Sequence, residues 1–448
     1  MILLIILIST SAFALTEEDI IQSVIKNFPL IEEASLKAKA AESEVVAARG
    51  AFDHKLTLKK RDRLEEQYDN HYFETNIQRL TPYHGLSLIA GHRQGTGTFP
   101  PYDGKYETSG AGEIFAGLSF PVLRGFQTDE YRTELRIAEI KKDISVAEVK
   151  LKKFIYIHKA LSLYYKFTFL NKKLQIRKEV LEIAQQRQSM LNKRFKAGDI
   201  EKLKLMDNDR SIDKRKDEVE KVKIEQEKVK NELSLYYRDQ EGNPILPGEA
   251  FPEQEMKGLP LARFNPERLP QIEIIDKHLD VTEIKRKFYD QSKLPELNVE
   301  LIGAKELSPN EPYDPRSLQI GVMFKFPLEN RKARGKAVAT EYKYLAMKKE
   351  VQFMLEGLKR QLDFSLEAMA RSLSRWRIIG NELEKTKDIS EAERTRWAQG
   401  ASDLYIVTLR EQEEAETNIK RWNVWLEYHL YNLDARLYSG IIIPPSYQ

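Results

Sequence analysis

The chain has 448 residues, 31% of them charged, with a formal net charge of +3 and a mean hydropathy of −0.53. Acidic and basic residues interleave, as on salt-bridged helix surfaces, which excludes the clustered basic excess of a nucleic-acid-binding protein. With no cysteine, the chain has no disulfides, no thiolate metal site and no lipid-anchored N-terminal Cys.

In chain order, the first element is an apolar run, Ile2 to Ile8, followed by Ala12-Phe13-Ala14. The small-x-small pattern predicts a secretory signal peptide over residues 1–14, although no Lys or Arg precedes the run. Beyond it no run approaches 18 apolar residues, so the mature chain is expected to have no transmembrane helix. Any membrane entry must then be through a closed β-barrel.

A helical pattern opens at Asn27-Phe28-Pro29-Leu30-Ile31 and carries Ala-rich positions through Arg49. Up to four strand-like segments follow, at roughly 54–63, 71–80, 86–93 and 113–121. Ser119-Phe120-Pro121-Val122 closes them, the proline marking a strand boundary because it lacks an N–H. From Thr128 to Arg194 there is no proline, and sixty-odd helical residues reach ~100 Å at 1.5 Å each. Arg194-Phe195-x-x-Gly198 interrupts this helix. A returning helix then runs over about 201–237, with Leu205, Ile212 and Val219, and again Val222, Val229 and Tyr236, seven apart. That is a narrow coiled-coil seam.

A Pro- and Gly-containing linker covers 238–267, and then the plan repeats. Arg268-Leu269-Pro270 opens a helix to about Ser292. Two strands follow within 296–326. In SLQIGVMFKF (317–326), Leu318, Ile320, Val322, Phe324 and Phe326 alternate with Ser317, Gln319, Gly321, Met323 and Lys325, the period of a strand with one apolar side. Lys325-Phe326-Pro327-Leu328 matches the first exit. A helical hairpin over 331–437 turns at Arg396-Trp397-x-x-Gly400. The predicted organisation is thus a first repeat (15–237: helix, strands 54–121, hairpin 128–237), the linker, a second repeat (268–440: helix, strands 296–326, hairpin 331–437) and a tail, 441–448. Two aromatic groups, Tyr164-Tyr165-Phe167-Phe169 and Trp422-Trp425-Tyr428-Tyr431, read as helix packing.

No catalytic constellation is visible. The seven histidines are scattered with no HExxH spacing. GTGTFPPYDGK (95–105) has the wrong spacing for a phosphate loop and Tyr106 where Ser or Thr is needed. No cofactor and no metal are expected, and no enzyme activity.

The segments FPLIEEASLKAKAAESEVVAARGAFD (28–53), FPVLRG (120–125), RFKAGDIEKL (194–203), LPELNVELIGA (294–304), FPLENRKARGKA (326–337) and RWAQGASDLYIVTLREQEE (396–414), in this twice-repeated order, resemble the TolC family of outer-membrane efflux proteins. The resemblance implies a mainly α fold with a membrane β-barrel portion: a homotrimer sharing one β-barrel in outer-membrane lipid above a long α-barrel in the periplasm of a Gram-negative bacterium. It further implies a passive export conduit of a tripartite efflux or type I secretion system, joined to a periplasmic adaptor (membrane fusion) protein and an inner-membrane transporter, with no nucleic acid. A trimer also follows from physics, because four to six strands leave open edges that lipid does not tolerate.

The resemblance assigns the hairpin tips, Ala197, Gly198, Asp199 and Gln399, Gly400, Ala401, to adaptor contact. It places a cation-sensitive constriction six and nine residues beyond each glycine, where this chain has Lys204 and Asp207, then Ile406 and Leu409. Only Asp207 fits. Asp199 and Asp403 are further candidates for the gate, against the alternative that each caps a returning helix. The extra strands of the first repeat depart from the family plan. The competing reading for the whole chain is a periplasmic coiled-coil scaffold or adaptor without a pore.

Overall fold

The computed structural model describes residues 15–63, 69–97, 108, 110–248, 255–256, 263–307 and 316–443. The expected signal peptide, much of the linker and most of the tail lie outside them, as does most of GTGTFPPYDGK. The elements run α1 (Glu17–Asn27), α2 (Pro29–Arg49), β1 (Lys55–Arg63), β2 (Asn70–Leu80), β3 (Ser87–Gly97), β4 (Glu113–Pro121), α3 (Glu130–Lys196), α4 (Lys202–Ser234), α5 (Pro270–Gln291), β5 (Glu296–Glu306), β6 (Arg316–Lys325), α6 (Arg331–Ala398) and α7 (Leu404–Tyr438). Among the described residues the first repeat has four strands, the number its sequence left open.

One element was not read from the sequence. Helix α1 precedes Phe28-Pro29, and its start is fixed by a capping box in which Thr16 and Asp19 satisfy each other's backbone N–H groups. Phe28 is extended, as a residue before proline must be, so the chain breaks there and restarts as α2.

The chain divides into two compact units. The first contains the segment through Ser35, Glu148–Ile272 and the chain from Phe353 on. Its core gathers Ile20, Ile21 and Val24 of α1 against Tyr164 and Tyr165 of α3, Leu233 of α4, and Trp425 and Leu433 of α7. The two aromatic groups meet here: Tyr165 stands edge-on to Trp425 at 5.8 Å and stacks on His429 at 4.5 Å. Polar ties close the rim. Tyr164 donates to the Leu15 carbonyl over 3.2 Å, Arg436 pairs with Glu17 at 3.2 Å, and Ser23 Oγ accepts from the Arg238 N–H at 2.7 Å.

The second unit contains Leu36–Ala147 and Glu273–Gln352. Its centre is one six-stranded antiparallel sheet in the order β1-β2-β3-β4-β5-β6, so the two repeats join at β4–β5. Register fixes the faces, because directly opposed residues share a side. Leu56, Ile77, Ala90, Ala116, Gly303 and Leu318 form one row across all six strands. On this face Leu56, Leu58, Phe73, Ile77, Leu88, Ile114, Leu318, Ile320, Val322 and Phe324 are all exposed. The opposite face is polar and partly buried, with Asn76 and Tyr72, and with Arg93 paired to Glu113 and lying 5.1 Å over the Phe115 ring. The β2–β3 turn uses left-handed backbone at His84 and Gly85. A Cβ on Gly85 would stand 2.7 Å from Pro121, so only glycine fits.

Candidate functional site: the hairpin tips and a buried ion cluster

Both hairpins turn by the same device. Helix α3 ends with Gly198 at φ +80°, its N–H donating to Phe195 O at 3.0 Å and the Asp199 N–H to Arg194 O at 3.0 Å. Helix α6 ends with Gly400 at φ +76°, its N–H donating to Trp397 O at 3.0 Å and the Ala401 N–H to Arg396 O at 2.8 Å. Each is a Schellman motif, with glycine at the left-handed position. Nothing lies within 4 Å of a Cβ built on either glycine, so backbone conformation alone demands it.

Beyond the turns the two tips differ. Asp403 is the N-cap of α7, its Oδ1 accepting from the Tyr405 N–H at 2.8 Å. Helix α4 has Glu201 at its N-cap with no side-chain bond to the helix, and Asp199 does not cap it. Asp199 and Asp207 are exposed. Gln399 and Ala401 flank Gly400 in the second turn, and Ala197 precedes Gly198 in the first, all exposed. Among the described residues no group of three or more acidic or histidine side chains could hold a metal ion. Around the turns Phe195, Leu203, Met206, Tyr405, Ile406 and Leu409 also face outward.

The returning helix α4 buries more than its apolar seam. Ile212, Val219, Val222 and Val229 are buried as their spacing predicts, and Asn208 and Arg215 occupy the intervening seam positions. Asn208 Nδ2 donates to Ala184 O at 3.1 Å. Arg215 Nη1 donates to Val180 O at 2.9 Å and Nη2 to Glu411 Oε2 at 3.1 Å.

Glu411 is the centre of an ion cluster of five residues, in which Arg394 also pairs with Glu414 at 3.3 Å. The Glu411 side chain is 1% exposed and is met by Arg187 of α3, Arg215 of α4 and, at 3.2 Å, Arg394 of α6. Arg187 and Arg215 are each 4% exposed. Burial alone would push the Glu411 carboxyl up, but Arg187, Arg215 and Arg394 outweigh it and hold its pKa below the ordinary value. Burial lowers the Arg215 pKa, yet a guanidinium stays charged. Four helices from both repeats thus converge on one carboxylate. Sequence reading missed the cluster because it sought apolar residues in the seam. The signal available was spacing: Arg187 lies eleven residues before Gly198, and Glu411 eleven beyond Gly400.

No protein-family model matches the sequence, and no curated protein matches it. Solved structures do. CusC, described in terms of transmembrane channel formation, superposes with a TM-score of 0.71 at 12% identity over 95% of this chain and 92% of that one. The fold is that of the TolC-type outer-membrane channels. The CmeC outer membrane channel of Campylobacter jejuni gives a TM-score of 0.68 at 12% identity over 95% of this chain and 85% of that one. VceC, an outer membrane protein of Vibrio cholerae, gives 0.68 at 12% identity over 95% and 96%. The TolC-type fold accounts for the mainly helical chain, the tandem repeat and an antiparallel sheet built from both repeats, while the four strands of the first repeat extend that plan.

Proposed function

We propose that this chain is the outer-membrane channel of a tripartite efflux or type I secretion system, acting as a homotrimer and a passive export conduit. The observation that carries this reading is the exposed apolar face of the sheet. Ten large apolar side chains on five of the six strands lie on one face and are exposed. An apolar surface of that kind, alternating with a polar opposite face, is what a lipid-facing barrel wall requires.

The hairpin tips are the docking surface for a periplasmic adaptor, which links the channel to an inner-membrane transporter. Tip residues Ala197, Gly198, Asp199, Gln399, Gly400 and Ala401 are exposed, and exposed apolar side chains flank both turns. Of the acids near the tips, Asp207 is the best candidate for a cation-sensitive gate. Asp199 is a weaker one, because it is in the turn itself, and Asp403 already serves as a helix cap. The protein performs no chemistry on its cargo.

Fractionation of cells with sizing of the extracted protein tests this reading. Recovery as a trimer in the outer membrane is expected. A soluble monomer would contradict it and favour a periplasmic scaffold.

A further inference from the structure

The sheet has two free edges, and they are unlike its interior. All ten residues of β6 are exposed, as are eight of the nine in β1, whereas the inner strands are partly buried. Among the described residues neither edge carries a proline, a bulge or a covering helix. The Lys and Arg residues of β1 guard that edge in water, but in lipid an unpaired ladder costs several kcal/mol per group, so both edges need a partner there.

We propose that β1 of one copy pairs with β6 of the next, closing an eighteen-stranded barrel held by an ion pair between Lys59 and Glu300 of neighbouring copies. This rests on the channel reading above. The alternating up-and-down order makes β1 antiparallel to the neighbour's β6. The apolar faces must coincide, which restricts the register to steps of two residues. Full overlap sets Lys55 opposite Lys325 and pairs all nine residues of β1. It places Leu56 against Phe324, Leu58 against Val322 and Lys59 against Gly321.

Gly321 makes the ion pair possible. Within one chain it stands directly opposite Glu300 on the polar face. A Cβ there would touch Glu300 Cβ at 3.7 Å and its Oε2 at 3.8 Å, so glycine leaves an open floor beside the carboxylate. Glu300 is exposed. Lys59, on the same face of β1, stands opposite Glu74 and lies 5.7 Å over the Tyr72 ring within its own chain, so Glu300 of the neighbour adds a second carboxylate on its open side. In the proposed register Lys59, Gly321 and Glu300 form one row across three strands. Two interstrand steps span about 9.6 Å, a gap that an extended lysine and a glutamate close from either side of a glycine.

The geometry closes on itself. The row through Leu56 and Leu318 continues to Asp62 of the next copy, six residues further along β1. Three six-stranded sheets then give a shear equal to the strand number, which corresponds to a strand tilt of about 36°, within the range for outer-membrane barrels.

The chain has no cysteine, so paired cysteines report this contact cleanly. Lys59→Cys with Gly321→Cys, and separately Thr57→Cys with Met323→Cys, are oxidised in the native membrane and resolved without reductant. Both pairs are expected to give covalent trimers, and Lys59→Cys with Met323→Cys, one step out of register, far less. A trimer recovered from the outer membrane that forms no in-register cross-link above single-cysteine controls overturns the interface. Cross-linking of the out-of-register pair alone overturns the register and the ion pair. Absence of the unmodified protein from the membrane overturns the channel reading instead. As a second arm, Lys59→Glu is expected to lower the dissociation temperature of the detergent-extracted trimer, and adding Glu300→Lys to restore it. An unchanged dissociation temperature for Lys59→Glu removes the ion pair.

Discussion

Arg215, on the returning helix of the first repeat, donates to Glu411 on the returning helix of the second across 3.1 Å, with both side chains almost wholly buried. The two repeats are therefore tied by charge, in a seam where their apolar residues alone would allow sliding. Polar residues inside coiled-coil seams are known to fix register. Arg187 and Arg394 extend the cluster, and Arg394 shares its charge with Glu414 at 3.3 Å.

Removing the central carboxylate should be severe. Glu411→Gln leaves buried guanidiniums without a counter-ion, a change of about 3–5 kcal/mol. Arg394, 37% exposed, contributes through a half-solvated pair, so Arg394→Ala should cost about 0–1 kcal/mol. Thermal unfolding of the detergent-extracted protein compares the two. Equal effects would contradict the central place of Glu411.

The same carboxylate predicts a pH dependence. Its folded pKa lies below the ordinary carboxyl value of 4.5, so its stabilising contribution is complete above about that pH. The contribution is lost as pH falls through the lower, folded value. Wild-type protein should therefore lose stability more steeply than Glu411→Gln below pH ~4.5, and the two curves should run parallel above it. Melting temperatures measured from pH 7 to pH 3 check this.

The tip glycines should be replaceable only at a conformational penalty. With φ near +80° and open space around each Cβ position, Gly198→Ala and Gly400→Ala should each cost about 1–2 kcal/mol. Asparagine, which tolerates left-handed backbone, should cost less. Hydrogen exchange at the tips reads the difference, and equal protection in all variants would remove the left-handed requirement.

Capping and gating separate by a paired substitution. Asp403→Ala loses the bond to Tyr405 and should destabilise by about 1 kcal/mol. Asp207→Ala touches no such bond and should leave stability unchanged while altering divalent-cation block in planar bilayers. Unaltered block would remove Asp207 from the gate.

The two sheet faces should differ in tolerance. Ile320→Arg, on the apolar face, should cost about 2–4 kcal/mol if it lies near the bilayer midplane. Gly321→Ser, on the polar face of the same strand, should be far milder. Trimer yield from the outer membrane measures both.

What the sequence disclosed follows from periodicity. The alternation in 317–326 identifies β6 and its apolar face, because a strand's side chains have no other period. The glycines at 198 and 400 mark the turns because few other residues adopt that backbone. What stayed hidden was pairing. Asn208 and Arg215 look like solvated helix residues until α3 and α7 are placed beside α4 and supply the Ala184 carbonyl and Glu411. Asp199 follows its glycine by one residue and Asp403 by three, and only Asp403 reaches a helix N–H. Both turns place the N-cap three residues past the glycine, a position filled by Asp403 in the second hairpin and by Glu201 in the first, so Asp199 falls two residues short of it.

An export conduit must form a pore. Purified trimer reconstituted into planar bilayers should give discrete single-channel conductance steps, of one size and in proportion to the protein added. Trimer that inserts into the bilayer and yields no conductance steps, with the Glu411 cluster intact or disrupted by Glu411→Gln, would contradict it.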